Sequence, residues 1–126
     1  RIVAVGAKNE WQEGETVVEG IAGAVNLCGR TTVRQFSTIL ALADLVICND
    51  CAAAHIAALQ GTPTLVVAGG RNPVGLWHPW GPKVRVLYAD VPCRGCLKTT
   101  CDSPDCLLKL EAHTVADAAL SFIENA

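Results

Sequence analysis

The feature that most constrains the fold is a series of short runs in which consecutive residues are apolar. These runs cover residues 1–7, 44–48, 64–68 and 84–88. Consecutive apolar positions are typical of strands buried on both faces, as in parallel sheets covered by helices. Segments with helical spacing separate several of the runs. We therefore predict an α/β fold with a mostly parallel sheet covered by helices.

Four segments have the apolar spacing of helices that bury one face. The first covers residues 13–24, although three glycines weaken it. In the second, Thr32 stands three residues before Gln35, which is the pattern of a capping box. The third covers residues 51–60, and Thr114 is the predicted N-cap of the last. The stripe of the last helix that we expect to be buried consists of Val115, Ala118, Ala119, Phe122 and Ile123.

Length and composition limit the class of protein. The chain has 126 residues, so we expect one domain over residues 1–126. Because 51% of the residues are hydrophobic and 17% are charged, disorder is excluded as a description of the whole chain. The net charge of −2 argues against a nucleic-acid partner held by bulk positive charge. No apolar run has the length of a transmembrane helix.

Seven cysteines are an unusual number for a chain of this length. A secreted disulfide scaffold normally has an even set of cysteines in a loop-rich chain. Here the count is odd, and Cys28, Cys48 and Cys51 lie in apolar or helix-start segments. We therefore expect a reducing compartment, and we expect these three cysteines to be core or turn residues.

The strongest local signal is the turn between the second apolar run and the third helix. Ligands of open α/β sheets bind at the carboxyl ends of strands, and a helix that begins there directs backbone N–H groups at an anion. Asp50 has two interpretations, a helix cap or an acceptor for ligand hydroxyls. His55 is either part of the site or a half-buried structural histidine. The absence of Gly-x-Gly-x-x-Gly and of a Gly-Lys-Ser/Thr loop disfavours dinucleotide enzymes and P-loop phosphotransferases.

An ordered series of motifs resembles one protein family. These are Asn-Leu-Cys-Gly-Arg-Thr-Thr at 26–32, Asp-Leu-Val-Ile-Cys-Asn-Asp at 44–50, His-x-Ala-Ala from residue 55 and Gly-Thr-Pro-Thr at 61–64. Together with Trp-Gly-Pro at 80–82 and the Cys-x-x-Cys segment, they resemble the bacterial heptosyltransferases of glycosyltransferase family 9. The resemblance covers nearly the whole chain.

The resemblance implies the C-terminal, Rossmann-like half of a GT-B glycosyltransferase. That half binds a nucleotide diphosphate sugar, here ADP-heptose, for transfer to a glycolipid or glycan acceptor in lipopolysaccharide core synthesis. The missing N-terminal domain would supply the acceptor site and the catalytic base, so we expect this chain to be inactive alone. The implied location is the cytoplasm, with peripheral binding at the inner membrane. No organic cofactor is implied.

The same resemblance assigns residues to the donor. Glu10 matches the acidic residue on the nucleotide ribose, although an exposed loop carboxylate is the alternative, and Thr31 matches a contact with the adenine edge. Asp50 matches the acceptor for sugar hydroxyls, and the turn after it would hold the diphosphate. The full set of implied donor-binding residues is Glu10, Thr31, Asp50, Cys51, Ala52, Ala53 and His55.

Two departures from the family pattern bear on function. Where the family usually has Ser or Thr followed by Gly, this chain has Cys51 and Ala52. They motivate an alternative, a non-catalytic, metal-stabilised module that keeps a nucleotide-binding shape. The family's domain also opens with a strand that is not found before Arg1. We expect that strand to belong between residues 1–7 and 44–48, so that the chain closes the gap, borrows a strand or forms part of a longer protein.

A cysteine-rich segment over residues 91–106 predicts a metal site. Cys93, Cys96, Cys101 and Cys106 have spacing that suits four thiolate ligands on one zinc ion, with iron as the alternative. Two disulfides and free thiols remain open as alternatives. If a metal is bound, we expect the segment to depend on it for order.

A second irregular segment, over residues 75–82, contains two tryptophans. Trp77 and Trp80 follow the strand predicted at 64–68, so they could form a wall of the donor pocket. Packing on the core or on the missing domain is the alternative.

Overall fold

The computed structural model describes residues 1–124, which divide into two compact units, Arg1–Ile39 and the part that begins at Leu40. The prediction of a single domain concerns both units together and stays a prediction. No helix within residues 1–124 is long and apolar enough to cross a membrane.

The first unit contains a pair of short parallel strands, a 3₁₀ turn (Lys8–Glu10) that leads into an α-helix, and the start of a second α-helix. Strand β1 (Val3–Ala4) pairs with β2 (Val25–Asn26), and helix α1 (Trp11–Val18) lies between them in sequence. The Asn26 side chain ties these elements together, because its Nδ2 donates to the carbonyl of Trp11 at 3.0 Å and to Glu15 Oε1 at 2.8 Å.

Two predicted elements of this unit are shorter than expected. The run at 1–7 forms only the two-residue strand β1, and Val3 is 39% exposed rather than buried. The helix predicted over 13–24 ends at Val18. Gly20 and Gly23 explain its end, since their φ angles of 72° and 76° lie in the left-handed region and cannot continue a right-handed helix.

Helix α2 (Val33–Leu42) begins with the predicted capping box. The backbone N–H of Thr32 donates to Gln35 Oε1 at 2.9 Å, and the N–H of Gln35 donates to Thr32 Oγ1 at 3.3 Å. Each side chain thus satisfies a backbone donor that the first turn of a helix leaves without a partner. The prediction made from these two residues is confirmed.

Replacing Thr32 with alanine is expected to lower the free energy of unfolding by about 1 kcal/mol, the usual cost of losing an N-cap hydroxyl. Thr38→Ala is the matched control, because its hydroxyl donates within the helix to the carbonyl of Arg34 and caps nothing. Chemical denaturation of the intact protein measures both variants. Equal losses for the two would contradict the capping role.

The second unit is built on a three-stranded parallel sheet in the order β3-β4-β5. The strands are β3 (Val46–Asn49), β4 (Thr64–Val67) and β5 (Val84–Leu87). All three lie within one or two residues of their predicted positions. Helix α3 (Ala52–Leu59) connects β3 to β4, as a parallel pair requires.

The central strand β4 is buried on both faces. Val66 packs with Ala54 of α3 and with Ala68, whereas Leu65 packs on the opposite face with residues of the last helix. Thr64, Leu65 and Val66 each have 0% exposure. The α/β fold with a parallel sheet covered by helices is therefore confirmed. In residues 1–124, β1 pairs with β2, and β3 pairs with β4. The additional strand expected between residues 1–7 and 44–48 stays a prediction.

The chain ends in helices α4 (Asp105–Leu108) and α5 (Ala112–Glu124). Helix α5 begins before Thr114, so the prediction that Thr114 caps it is wrong. Its buried face is otherwise as predicted: Ala118 and Ala119 are buried, with Val115 and Phe122 packed beside them. Ile123 is 49% exposed, so the prediction that it is buried is wrong.

Candidate functional site

A cleft of about 480 Å³ lies where the sheet of the second unit meets the start of α3. Asn49 and Val67 are register partners, so β3 and β4 end at the same edge of the sheet. Helix α3 begins three residues after Asn49. The residues that line the cleft are Asp50, Cys51, Ala52, His55, Arg71, Asn72 and Trp77.

The β3–α3 turn and the first residues of α3 supply four of these residues, and all four were predicted. The prediction that Asp50 caps the helix is wrong, because the N-cap residue is Cys51, with extended backbone angles of −149° and −179°. The helix consequently starts one residue later than expected and leaves the Asp50 carboxylate at the cleft. His55, one turn into α3, is exposed rather than half-buried, and it lines the same cleft.

Three predicted donor residues are not among those lining the cleft. Ala53 lies in the first turn of α3 and is partly buried. Glu10 and Thr31 belong to the first unit. There the Glu10 carboxylate accepts a hydrogen bond from the N–H of Ala7 at 2.6 Å, so this side chain closes its own turn. Roles for Glu10, Thr31 and Ala53 in donor binding stay predictions.

The loop after β4 supplies residues that sequence reasoning missed. Arg71 and Asn72 follow Gly69 and Gly70 at the carboxyl end of β4, and both line the cleft. The available signal was their place after a buried strand, since the carboxyl ends of neighbouring parallel strands share one edge. Arg71 brings a permanent positive charge to a cleft that also holds the Asp50 carboxylate, so the lining carries both signs.

The two tryptophans of the following segment have different environments. Trp77 lines the cleft and is 61% exposed, as expected for an aromatic wall rather than for a core residue. Trp80 is 90% exposed. Of the two interpretations given by the sequence, the structure supports the pocket wall for Trp77.

The pKa of the partly buried Tyr88 depends on the charge of a residue that lines the cleft. Burial raises the pKa of Tyr88, the Asp50 carboxylate raises it further, and the Arg94 guanidinium opposes both effects. The Tyr88 hydroxyl is hydrogen-bonded to the His78 ring, and Arg94 lies 5.2 Å from the centre of the Tyr88 ring. Tyr88 therefore stays protonated at neutral pH and links the segments that carry His78 and Arg94.

The cysteine-rich segment supports the loop that follows β4. The N–H of Gly95 donates to the carbonyl of Gly70 at 2.6 Å, and the N–H of Leu97 donates to the carbonyl of Arg71 at 2.9 Å. A Cβ added at Gly70 would lie 2.9 Å from Cys106 Cβ. These contacts hold the loop that carries Arg71, and they give the segment a source of order besides the expected metal.

Gly70→Ala is expected to lower the free energy of unfolding by about 1 kcal/mol or slightly more, the usual cost of overpacking. The added methyl group meets the Cβ of Cys106, which cannot rotate away. Gly69→Ala is the matched control, because its Cβ would make an ordinary 3.6 Å contact with Leu107. Thermal denaturation of the intact protein should separate the two variants, and indistinguishable midpoints would contradict the close approach.

The four cysteines of residues 91–106 do not form a metal centre in the structure. Within residues 1–124, no group of three or more His, Cys, Asp or Glu side chains is placed to hold a metal ion. Cys93, Cys96 and Cys101 are exposed, and all four thiols are free. The geometry therefore does not fit the predicted zinc or iron, and metal binding stays a prediction.

Elemental analysis of the intact protein, purified without added metal, tests that prediction. The sequence spacing predicts about one zinc or iron ion per chain, as a four-thiolate site holds. A content of less than about a tenth of that amount would reject the site. Counting free thiols in denaturant would then distinguish reduced cysteines from disulfides.

The family assignment rests on a match that covers most of the chain. The family model of glycosyltransferase family 9 (heptosyltransferase) matches residues 2–106, which include both strands of the first unit and the whole cleft. The chain belongs to glycosyltransferase family 9. The resemblance found in the sequence motifs is thereby confirmed.

Curated relatives within the family are similar over shorter stretches. Lipooligosaccharide heptosyltransferase 2 of Campylobacter jejuni is 26% identical over 103 residues, which cover 79% of this chain and 32% of that protein. Lipopolysaccharide core heptosyltransferase OpsX of Haemophilus influenzae is 37% identical over 49 residues, 39% of this chain and 14% of that protein. The chain therefore spans about a third or less of the curated relatives it matches.

Solved structures of two family members share the fold. Escherichia coli ADP-heptose lipopolysaccharide heptosyltransferase II has a TM-score of 0.76 at 18% identity, covering 100% of this chain and 38% of that one. The family 9 glycosyl transferase of Veillonella parvula has a TM-score of 0.78 at 20% identity, and the match covers 98% of this chain and 36% of that one. At these identities the likeness establishes the fold alone.

Proposed function

We propose that this chain is the donor-binding part of a family 9 glycosyltransferase and that its cleft binds a nucleotide diphosphate sugar. The observation that carries the proposal is the cleft itself. It joins a helix N-terminus, an arginine and a carboxylate at the carboxyl ends of two parallel strands. This arrangement suits a ligand that has both a diphosphate and hydroxyl groups.

The diphosphate would lie between α3 and Arg71. The first turn of α3 has backbone N–H groups without helical partners, and Ala52 has a side chain small enough to let an anion approach them. Arg71 would provide charge-assisted hydrogen bonds from the loop after β4. In a transfer reaction these donors would stabilise the negative charge that develops on the leaving nucleoside diphosphate.

The sugar would lie toward Asp50 and Trp77. A carboxylate accepts hydrogen bonds from sugar hydroxyls, and an exposed indole ring offers an apolar face to the C–H groups of a pyranose. ADP-heptose is the proposed donor, in keeping with the E. coli ADP-heptose lipopolysaccharide heptosyltransferase II that shares this fold. The acceptor would be a glycolipid or glycan of the lipopolysaccharide core, bound together with the catalytic base by an N-terminal domain.

Calorimetric titration of the intact protein with ADP, UDP and GDP tests the proposal. ADP is expected to bind. The Asp50→Asn substitution is expected to weaken the binding of an ADP-sugar more than the binding of ADP, because the carboxylate would contact only the sugar. Absence of binding by all three nucleotides would reject a donor site and favour the non-catalytic module. That alternative is motivated by Cys51 and Ala52 at the turn.

A further inference from the structure

Trp77 lies in a segment that has little backbone support. Within the described residues 1–124, residues 77–80 make no backbone–backbone hydrogen bond, and they belong to no helix or strand. Trp77 nevertheless lines the cleft, with 61% of its surface exposed. The orientation of its ring therefore depends on side-chain contacts made by its neighbours in sequence.

His78, the next residue along the chain, makes a contact that anchors this segment. Its ring is hydrogen-bonded to the hydroxyl of Tyr88 and meets the Tyr88 ring edge-to-face, with the ring centres 5.3 Å apart. Pro79 is buried and adds packing, but a proline has no N–H to donate. The position of His78, and with it the start of the Trp77 side chain, is therefore tied to Tyr88.

Tyr88 is itself held by the core and by a neighbouring cation. It directly follows β5 and packs against the buried cluster that contains Ala54 and Val66. The Arg94 guanidinium lies 5.2 Å from the centre of the Tyr88 ring, and its Nη2 donates to the carbonyl of Ala89 at 2.8 Å. Because Ala54 belongs to α3 and Val66 to β4, two elements that form the cleft also support Tyr88.

We propose that Tyr88 is a positioning residue for the sugar part of the donor, because its hydrogen bond to His78 fixes the Trp77 ring at the cleft. This rests on the proposed function, in which Trp77 meets the sugar while α3 and Arg71 hold the diphosphate. Tyr88 is not among the residues that line the cleft, so it acts through His78 and Trp77 and not by contact with the donor. Loss of its hydroxyl should therefore affect the sugar and spare the nucleoside diphosphate.

Fluorine NMR observes Trp77 without any ligand and provides the first test. The intact protein is labelled with 5-fluorotryptophan, and the resonances of its three tryptophans are assigned by replacing each in turn with phenylalanine. Tyr88→Phe keeps the ring and removes only the hydroxyl, so we expect the Trp77 resonance to move toward its position in the denatured protein. The Trp11 resonance is the internal control and should not move, because Trp11 lies in the first unit against Arg30. An unchanged Trp77 resonance would overturn the proposal.

Calorimetric titration separates positioning from a general loss of structure. Tyr88→Phe is expected to weaken the binding of ADP-heptose by about 3- to 10-fold, the scale of one hydrogen bond, and to leave ADP affinity within about 2-fold. His78→Phe keeps an aromatic ring for the edge-to-face contact but removes the same hydrogen bond, so it should reproduce this difference between the two ligands. Equal losses for ADP and ADP-heptose in both variants would overturn the positioning role.

A double-mutant cycle tests whether Trp77 carries the effect. In the Trp77→Ala protein, adding Tyr88→Phe should cause no further loss of ADP-heptose affinity, because the ring to be positioned is already gone. A further loss as large as in the wild-type protein would overturn the route through Trp77. If the wild-type protein binds neither ADP nor ADP-heptose, the proposed function fails, whereas the fluorine spectra still decide whether Tyr88 fixes Trp77.

Discussion

Arg71→Gln is expected to weaken the binding of ADP to the intact protein by about 10- to 150-fold, as the loss of a charged hydrogen-bond partner costs about 1.5–3 kcal/mol. Arg71 lines the cleft together with the β3–α3 turn, and the proposed diphosphate would lie between them. Glutamine keeps much of the side-chain length and some hydrogen-bonding capacity but removes the charge. Calorimetry gives the affinity directly, and its dependence on salt concentration should decrease in the variant.

Arg85→Gln is the matched control for this experiment. Arg85 lies in the interior of β5, is exposed and does not line the cleft. The same loss of charge at that position should leave ADP affinity within about 2-fold, because an exposed charge that makes no contact with the ligand interacts with it only through salt-screened electrostatics. Equal losses for both variants would point to a general electrostatic effect and would argue against a contact between Arg71 and the diphosphate.

Leu65→Ala is expected to lower the free energy of unfolding by about 2–5 kcal/mol, the usual range for a buried leucine. Leu65 has 0% exposure in the central strand and packs against Ala118 and Ala119 of α5. The small alanine side chains on that helix cannot extend into the space that a truncated Leu65 would leave. Chemical denaturation of the intact protein measures the loss.

Leu59→Ala provides the comparison, because Leu59 ends α3 with 86% of its surface exposed. The free energy of unfolding of the Leu59→Ala protein should decrease by no more than about 0.5 kcal/mol, as is usual for surface substitutions. A loss for Leu65→Ala no larger than for Leu59→Ala would show that the sheet of the second unit is not the cooperative core of this region. Retention of ADP binding by Leu65→Ala at low temperature would confirm that the variant still folds.

Features set by neighbouring residues could be predicted from the sequence. The capping box formed by Thr32 and Gln35 needs only residues of one turn, and the consecutive apolar residues of β4 are explained by burial on both faces. The start of α3 was misplaced by one residue because Asp50 and Cys51 are both compatible with a helix beginning there. Local preference does not separate them, so the sequence alone could not place the start, although the burial of Ala54 beside Val66 was compatible with either residue as the cap.

The remainder of the cleft depends on contacts between distant parts of the chain. Arg71 and Asn72 lie in a loop without apolar periodicity, so no repeat in the sequence places them. Their position follows from hydrogen bonds between that loop and Gly95 and Leu97. The spacing of the nearby cysteines predicts a metal site, whereas the backbone of the same segment forms the hydrogen bonds that hold the loop with Arg71.

Because the donors in that contact are the backbone N–H groups of Gly95 and Leu97, it does not depend on the identity of the neighbouring side chains. Single substitutions at Cys93, Cys96 or Cys101 are therefore expected to leave these two hydrogen bonds in place, whereas Cys106 also lies close to Gly70. Insertions or deletions between Gly95 and Leu97 have a different effect, since they change the register of the two hydrogen bonds. Such changes in length offer a route by which family members could alter the shape of the cleft without changing any residue that lines it.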